Sequence, residues 1–200
     1  MSNTISLDDV AAPVGVDRAQ VVDAAVAVLE ERGRLDQVAL REVADRLGIR
    51  TQSLYAHVDG IAGLHRQLAL RGLAALADDL TSAAIGKAGA NAIEAIVRAY
   101  VRFAAQHPGL YEASLRPPGD DAELRQAMEA VTRPLNLVFE SYGLDRRAAV
   151  HWYRIVFASV HGFAVLRRDG LITLPGDPDE SLRHMIQAFV HQIETEASSG

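Results

Sequence analysis

Helical periodicity runs through most of this chain, and it restricts the fold more than any other feature of the sequence. Apolar residues recur every three or four positions, and glycine, proline or aspartate interrupts each run. Alternating apolar and polar runs bounded by turn residues, which would indicate strands, do not occur. The sequence therefore predicts an all-α protein of about nine helices.

Capping residues define the ends of the first helices. Asp17 is followed three residues later by Gln20, which is the spacing of a capping box, and Gly33 ends that helix. A short second helix is predicted from Leu40 to Leu47. The segment GIRTQSLYAHVDG, residues 48–60, follows as a third helix. Later helices are predicted at about 61–83, 90–106, 110–115, 124–142, 145–170 and 181–197, and Pro134 is expected to kink the fourth of these.

Composition and charge exclude several classes of protein. The chain has 200 residues, a net charge of −6 and no cysteine. Without cysteine there is no disulfide framework, and a reducing cytoplasm fits. No apolar run approaches the ~20 residues that cross a bilayer, and no signal peptide is recognisable. A cytoplasmic protein without a membrane segment is therefore expected. Because phosphate contacts depend on local positive charge, binding to nucleic acid would require a specific local arrangement.

The short helices around Gly48 have the pattern of a helix-turn-helix. Ala44 allows a close helix crossing, and a glycine four residues later allows a sharp turn. The third helix is expected to turn Leu54 and Val58 inward and its polar residues outward, toward the major groove of DNA. A tight helical hairpin without DNA-binding activity is the alternative. Arg46 is one candidate for a phosphate or guanine contact. The predicted DNA-binding residues are Arg41, Arg50, Thr51, Gln52, Ser53, Tyr55 and His57.

Residues 18–64 resemble the N-terminal domain of TetR-family transcriptional regulators. The resemblance is carried by AQVVDAAVAVLEERG, VALREVADRLGI and SLYAHV. It implies that the third helix is a recognition helix, in which Leu54 packs inward while Tyr55 and His57 touch the DNA backbone. Two positions depart from the family pattern: Val58 replaces a phenylalanine, and Ile61 replaces a lysine that commonly contacts phosphate.

The C-terminal half carries a second, shorter resemblance. ASVHGFAVLRRDG is similar to the TetR-like C-terminal domain named for a Trp-His-Gly motif, with Val160 in place of the tryptophan before His161 and Gly162. The resemblance implies a homodimer in which each subunit contributes two helices. The helix around this motif is apolar on two faces, which favours burial on both sides, and the last helix has a matching stripe. The predicted dimerisation residues are Tyr153, Phe157, Val160, Phe189, Val190 and Ile193.

Aromatic residues are concentrated in the same half. Core packing explains any one of them, but together with a few polar groups they predict a mostly apolar ligand pocket. Its effector is expected to be a hydrophobic or aromatic small molecule. The predicted ligand-binding residues are Tyr100, Phe103, Tyr111, Phe139, Trp152, Ser159 and His161.

These features predict a flexible tail at 1–16, a helix-turn-helix domain at 17–60 and an effector-binding and dimerisation domain at 61–200. The expected function is a ligand-responsive regulator of transcription that binds double-stranded operator DNA, most simply a repressor released by a small molecule. Activation of transcription is the other possible sign of regulation. A helical protein-interaction adaptor without specific DNA binding is the alternative function. An enzyme is not expected, because GxSxG and HExxH are absent and AAIGKAG lacks the residues of a P-loop. His184 and His191 are too far apart to chelate a metal together, so no metal or cofactor is expected.

Overall fold

The computed structural model describes residues 15–199 and confirms the all-α class. This part of the chain forms eight α-helices and two short 3-10 helices, and contains no strand. The predicted tail, residues 1–16, lies almost entirely outside the described residues. The α-helices are α1 (Arg18–Arg32), α2 (Leu40–Leu47), α3 (Gly60–Ala84), α4 (Gly89–Gln106), α5 (Pro108–Ser114), α6 (Ala122–Ser141), α7 (Arg146–Arg168) and α8 (Pro178–Ser199), with 3-10 helices at Leu35–Gln37 and Thr51–Ala56.

The capping signals in the sequence place the ends of α1 and α2 correctly. The backbone N–H of Gln20 donates to Asp17 Oδ1 at 2.8 Å, and the Asp17 N–H donates to Gln20 Oε1 at 2.9 Å, which completes the capping box. Gly33 and Gly48 end the two helices with φ of 69° and 67°. These left-handed conformations favour glycine because it has no Cβ.

Three local features differ from the sequence-based expectations. The third helix is a 3-10 helix rather than an α-helix, and the 3-10 turn at Leu35–Gln37 was not anticipated. Helix α8 begins at Pro178, before the predicted start at Ser181, whereas α6 contains Pro134 inside its range as predicted. Proline at the first position of a helix has no N–H to leave unpaired, which is why it is a good start signal.

One hydrophobic core extends from α1 to α8. Helix α3 lies at its centre and packs against α4, α5 and α6. The short helix α5 lies against both α1 and α3. At Gly109, the second residue of α5, an added Cβ would lie 2.8 Å from the carbonyl oxygen of Leu29. Glycine therefore allows α5 to approach the backbone of α1 directly. This contact joins the helices that precede α3 to the rest of the bundle.

Candidate DNA interface and ligand cleft

The 3-10 helix Thr51–Ala56, which we call the recognition segment, presents two of its three faces to solvent. A 3-10 helix has three residues per turn, so Thr51, Leu54 and His57 lie in one row. Leu54 is 0% exposed and anchors this row in the core, and its two neighbours in the row are half-buried. Gln52 and Tyr55 occupy an outer face, where the tyrosine is 59% exposed. Gln52 and Tyr55 thus face away from the core, as the sequence predicts, whereas Thr51, which was also expected to face outward, is half-buried in the row of Leu54.

A sharp turn holds the recognition segment against α2. Ala44 is fully buried, and its carbonyl oxygen accepts a hydrogen bond from the backbone N–H of Ile49 at 3.1 Å, just beyond Gly48. Val58, which is 3% exposed, provides a second anchor after the segment. The backbone is thus fixed at both ends, which gives the geometry of a helix-turn-helix, in which the second element is held by the first.

The arginines near the recognition segment have two different roles. Arg50 is exposed and forms no ion pair with any described residue. Arg41 is paired loosely with Asp45 at 3.6 Å, and its side chain is 85% exposed. Arg46, in contrast, donates to Glu31 of α1 at 2.7 Å. The first two guanidinium groups are available to an external phosphate, whereas the third joins α2 to α1.

The start of α3 adjoins the exposed tyrosine. A Cβ added at Gly60 would lie 3.8 Å from Tyr55 Cε1, so the ring lies beside the first turn of α3. Ile61, the second residue of α3, is 41% exposed on this surface. An apolar side chain therefore occupies the position at which the family resemblance implies a lysine.

A cleft of about 490 Å³ opens within the bundle formed by α3, α4, α5, α6 and α7. We call it the bundle cleft. Leu73 and Leu76 of α3 and Met128 and Val131 of α6 form much of its apolar lining. Leu115, Pro117 and Pro118, from the loop after α5, also line it. A second, small pocket of about 30 Å³ lies among α3, α4, α6 and α7 and shares Tyr100, Tyr153 and Phe157 with the bundle cleft.

Helix α7 contributes an aromatic wall to the bundle cleft. The rings of Tyr153 and Phe157 are stacked with centroids 5.8 Å apart, and those of Phe157 and His161 are stacked at the same separation. Tyr100 of α4 meets Phe157 edge-on at 6.1 Å. Tyr153, Phe157 and His161 are spaced four positions apart on α7, so their side chains lie on one face of the helix.

A chain of three polar groups ends at this wall. The hydroxyl oxygens of Tyr100 and Tyr111 are 3.1 Å apart, and that of Tyr111 lies 2.6 Å from His161 Nδ1. Burial raises the pKa of both tyrosines. Burial, and to a smaller extent the nearby Arg168 guanidinium, lowers the pKa of His161, so its imidazole is neutral near pH 7. Both tyrosines are likewise uncharged, so all three hydrogen-bonded groups are neutral.

The structure brings together only part of the predicted ligand-binding set. Tyr100 and His161 line the bundle cleft, and Tyr111 is joined to both by hydrogen bonds. The other four residues lie outside the cleft. Phe103 and Phe139 are buried in the core, Trp152 Nε1 donates to Glu196 Oε2 at 2.8 Å, and Ser159 is not among the lining residues.

The predicted dimerisation residues are also distributed differently from expectation. Val160, Phe189 and Ile193 are buried in the core of the chain itself, so they have almost no surface to offer a second subunit. Tyr153 and Phe157 line the bundle cleft instead. Val190 is half-buried against the core. Sequence periodicity found the two apolar faces of α7 but did not show which of them the chain covers itself.

Helix α7 leaves a second apolar face uncovered. Only Val156, Val160 and Ala164 of its residues are buried. Ile155 is 47% exposed and Leu166 is 45% exposed. The helix has 23 residues and a mean hydropathy of 1.2 over 18 of them, so length and composition alone would allow it to cross a bilayer. The same values occur in a core helix of a bundle.

Among residues 15–199, no cluster of three or more histidines and acidic residues could hold a metal ion.

Comparisons with known proteins identify the family. The domain described as "Tetracyclin repressor-like, C-terminal domain" matches residues 93–189, a range that contains the His161-Gly162 motif. The HTH-type transcriptional regulator Rv0681 of Mycobacterium tuberculosis is 31% identical over 197 residues, which cover 98% of this chain and 89% of the relative. The regulator YobS of Bacillus subtilis is 29% identical over 177 residues, covering 88% and 92% of the two chains.

Solved structures share the whole fold. A protein from Rhodococcus sp. RHA1 superposes with a TM-score of 0.76 at 23% identity, covering 90% of this chain and 96% of the other. The TetR family protein ActR of Streptomyces coelicolor, solved in complex with (S)-DNPA, gives a TM-score of 0.65 at 19% identity, covering 93% and 100%. The chain therefore belongs to the TetR family of HTH-type transcriptional regulators.

Proposed function

We propose that this regulator binds operator DNA through the recognition segment and responds to a small molecule in the bundle cleft. The observation that carries the proposal is the recognition segment itself: Leu54 is fully buried while Gln52 and Tyr55 are exposed beside an unpaired Arg50. Such a short segment has no core of its own, so presentation to a groove explains its polar surface. Residues 17–60 act as the DNA-binding domain and 61–200 as the effector and dimerisation domain.

Two copies of the chain bind the operator together. The exposed face of α7, with Ile155 and Leu166, supports a self-complementary contact around a two-fold axis. A lipid environment is a poorer explanation of this face, because Val156 and Val160 on the opposite side are buried against the chain's own core. A two-fold dimer places two recognition segments on half-sites about 34–36 Å apart. The protein acts in the cytoplasm, where the family's DNA targets are.

The bundle cleft holds a hydrophobic or aromatic effector. Its lining is apolar with a few polar groups, which is typical of small-molecule sites, and the ligand-bound ActR structure with the same fold supports this assignment. Helix α5 links the cleft to the DNA-binding domain, because Tyr111 contacts His161 while the Leu110 N–H donates to Glu30 of α1 at 2.9 Å. Within the effector domain, Arg66 of α3 pairs with Asp121 at the start of α6, at 2.5 Å.

The effector acts by shifting a population. One arrangement of the dimer spaces its recognition segments to match the operator, and the ligand favours another spacing. If the ligand weakens DNA binding by some factor, DNA weakens ligand binding by the same factor. Repression relieved by the effector is the simplest form of this regulation. Activation would require the ligand to favour the arrangement that binds DNA.

Fluorescence anisotropy tests the proposal. DNA fragments from around the protein's own gene are titrated at two salt concentrations with wild type, an Arg50→Ala/Tyr55→Ala variant and an Arg133→Ala control. Arg133 is exposed and lies beside the far end of α3, near Thr81 and Lys87. That end is about 36 Å from the start of the helix, at 1.5 Å per residue. The control removes one positive charge without altering the recognition segment.

Tight, salt-sensitive binding by wild type and the control, lost in the double variant, is the expected result. The double variant should keep its helical circular dichroism and melting temperature, because both substituted side chains are exposed. Weak binding of equal strength in all three proteins would refute the proposal. The adaptor alternative would then explain the conserved fold better than DNA recognition.

A further inference from the structure

We propose that the effector is an uncharged, flat aromatic molecule with a hydrogen-bond acceptor, such as a carbonyl oxygen, and that His161 Nε2 donates to this acceptor. The inference rests on the proposed function, because it names the chemical class that the same cleft selects. It is argued from three observations: the aromatic wall, the order of protons along the tyrosine–histidine chain, and the absence of charge from the lining.

The wall favours a flat ligand. Tyr153, Phe157 and His161 form near-parallel neighbouring pairs, with interplanar angles of 10° and 15°. Tyr100 closes one side edge-on, at 82° to Phe157. Aromatic ligands gain from offset stacking and edge-to-face contacts with such rings, beyond the gain from burying apolar area. Branched or globular ligands would lose these contacts while covering the same surface.

The polar chain has a preferred direction. If the Tyr100 hydroxyl donates to Tyr111 and the Tyr111 hydroxyl donates to His161 Nδ1, both buried hydroxyl protons have an acceptor. The reverse order would leave the buried Tyr100 hydroxyl proton without an acceptor among the described residues, which is costly. In the preferred order Nδ1 is the acceptor, so the proton of the neutral imidazole lies on Nε2 and is the one proton of the three groups that finds no acceptor within the chain of hydrogen bonds. The ring therefore offers a donor to an occupant of the cleft.

The lining contains no counter-charge. None of the side chains that line the bundle cleft is an Asp, Glu, Lys or Arg. Arg168 lies 6.0 Å from the centroid of the Tyr111 ring, but it does not line the cleft and is paired with Asp169 at 2.7 Å. A carboxylate in the cleft would lose its water and gain at most one neutral donor, with no counter-charge to offset the loss. An uncharged acceptor avoids this cost and still satisfies the Nε2 donor.

Three probes with the same naphthalene body separate these contributions. 2-Acetonaphthone carries an uncharged acceptor, 2-ethylnaphthalene lacks the acceptor, and 2-naphthoate carries a charge. Their dissociation constants are measured by equilibrium dialysis with the full chain in excess. We expect 2-acetonaphthone to bind roughly fivefold more tightly than 2-ethylnaphthalene, the usual effect of one neutral hydrogen bond. 2-Naphthoate should bind more weakly than either, by about tenfold or more.

Two matched variants assign the donor. His161→Phe keeps an aromatic ring but removes Nε2, so the fivefold preference for 2-acetonaphthone should disappear. Binding of 2-ethylnaphthalene to this variant shows that the cleft remains folded. Tyr142→Phe removes a hydroxyl that lies outside the cleft, where it donates to Glu194, and should leave the preference unchanged. Four results would overturn the proposal. They are tightest binding by 2-naphthoate, a preference that persists in His161→Phe, a preference lost in Tyr142→Phe, and failure of all three probes to bind.

DNA binding by the same preparation separates this inference from the proposed function. Probe binding with the expected order in a protein that does not bind DNA would contradict the proposed function and leave the ligand class standing. DNA binding without probe binding would contradict the ligand class and leave the proposed DNA-binding function standing.

Discussion

A single methyl group at Gly109 should separate α5 from α1. In the folded chain, a Cβ at this position would lie 2.6 Å from Leu29 Cγ and 2.8 Å from the Leu29 carbonyl oxygen. Close carbon–oxygen contacts are normally about 3.3–3.6 Å. The leucine side chain can rotate away, but the carbonyl oxygen belongs to α1. Helix α5 must therefore move by about 0.5 Å to admit the methyl group.

The expected cost combines two opposing effects. Overpacking of a well-packed core costs about 1–3 kcal/mol. Replacing glycine by alanine in an unstrained position stabilises by about 0.4–1 kcal/mol, because it restricts the unfolded chain. Gly109→Ala should therefore lower the free energy of unfolding by about 1–2 kcal/mol. For a chain of this size, that corresponds to a fall of about 2–8 °C in melting temperature.

Thermal unfolding followed by circular dichroism tests this reasoning at a fixed protein concentration. Ala74 is exposed in the middle of α3 and supplies the baseline. Ala74→Gly should cost about 1 kcal/mol, the intrinsic difference between the two residues in a helix. If Gly109→Ala leaves the melting temperature unchanged or raises it, the close backbone contact between α1 and α5 is refuted.

Other substitutions probe the DNA interface and the ion pair between α3 and α6. Ile61→Lys should tighten DNA binding and steepen the dependence of log K on log[salt] by about 0.9 per subunit, or about 1.8 for the dimer, through one added phosphate contact in each subunit; an unchanged slope in anisotropy titrations would contradict this. Arg46→Ala should weaken operator binding less than Arg50→Ala, because Glu31 already holds Arg46; equal losses would contradict the assignment. Hydrogen bonding from Arg66 lowers the pKa of Asp121 from 3.8 to about 2. The contribution of the Asp121 carboxylate to stability should be present above pH 4 and be lost as the pH falls through about 2. The free energies of unfolding in urea of wild type and Asp121→Asn should therefore become equal in acid. A difference that stays the same at every pH would contradict this.

Local signals in the sequence predicted much of the backbone. The capping box at Asp17 and the left-handed glycines at 33 and 48 depend on neighbours within a few residues, so the printed sequence contains all the necessary information. The burial of Leu54 and the exposure of Tyr55 followed from helical spacing together with the family resemblance. That the segment containing both residues is a 3-10 helix did not follow, because three and 3.6 residues per turn differ little over six residues.

The bundle cleft was harder to predict, because it depends on contacts between distant helices. The aromatic concentration correctly drew attention to Tyr100 and His161, but it also included Phe139, which is fully buried elsewhere. Leu73 and Met128 line the cleft and looked like ordinary core residues in the sequence. A side chain that faces a cavity and one that faces a packed core have the same periodicity, and only the packing of the helices distinguishes them.

The most direct test of the central claim is dimethyl sulfate footprinting of the bound operator. The reagent methylates guanine N7 in the major groove and adenine N3 in the minor groove. Insertion of the recognition segment into the major groove predicts protection of guanine N7 at two places about one helical turn apart. Arg50→Ala should lose part of this protection at concentrations that still saturate the DNA. Unchanged N7 reactivity on fully bound DNA, or protection confined to adenine N3, would contradict the account.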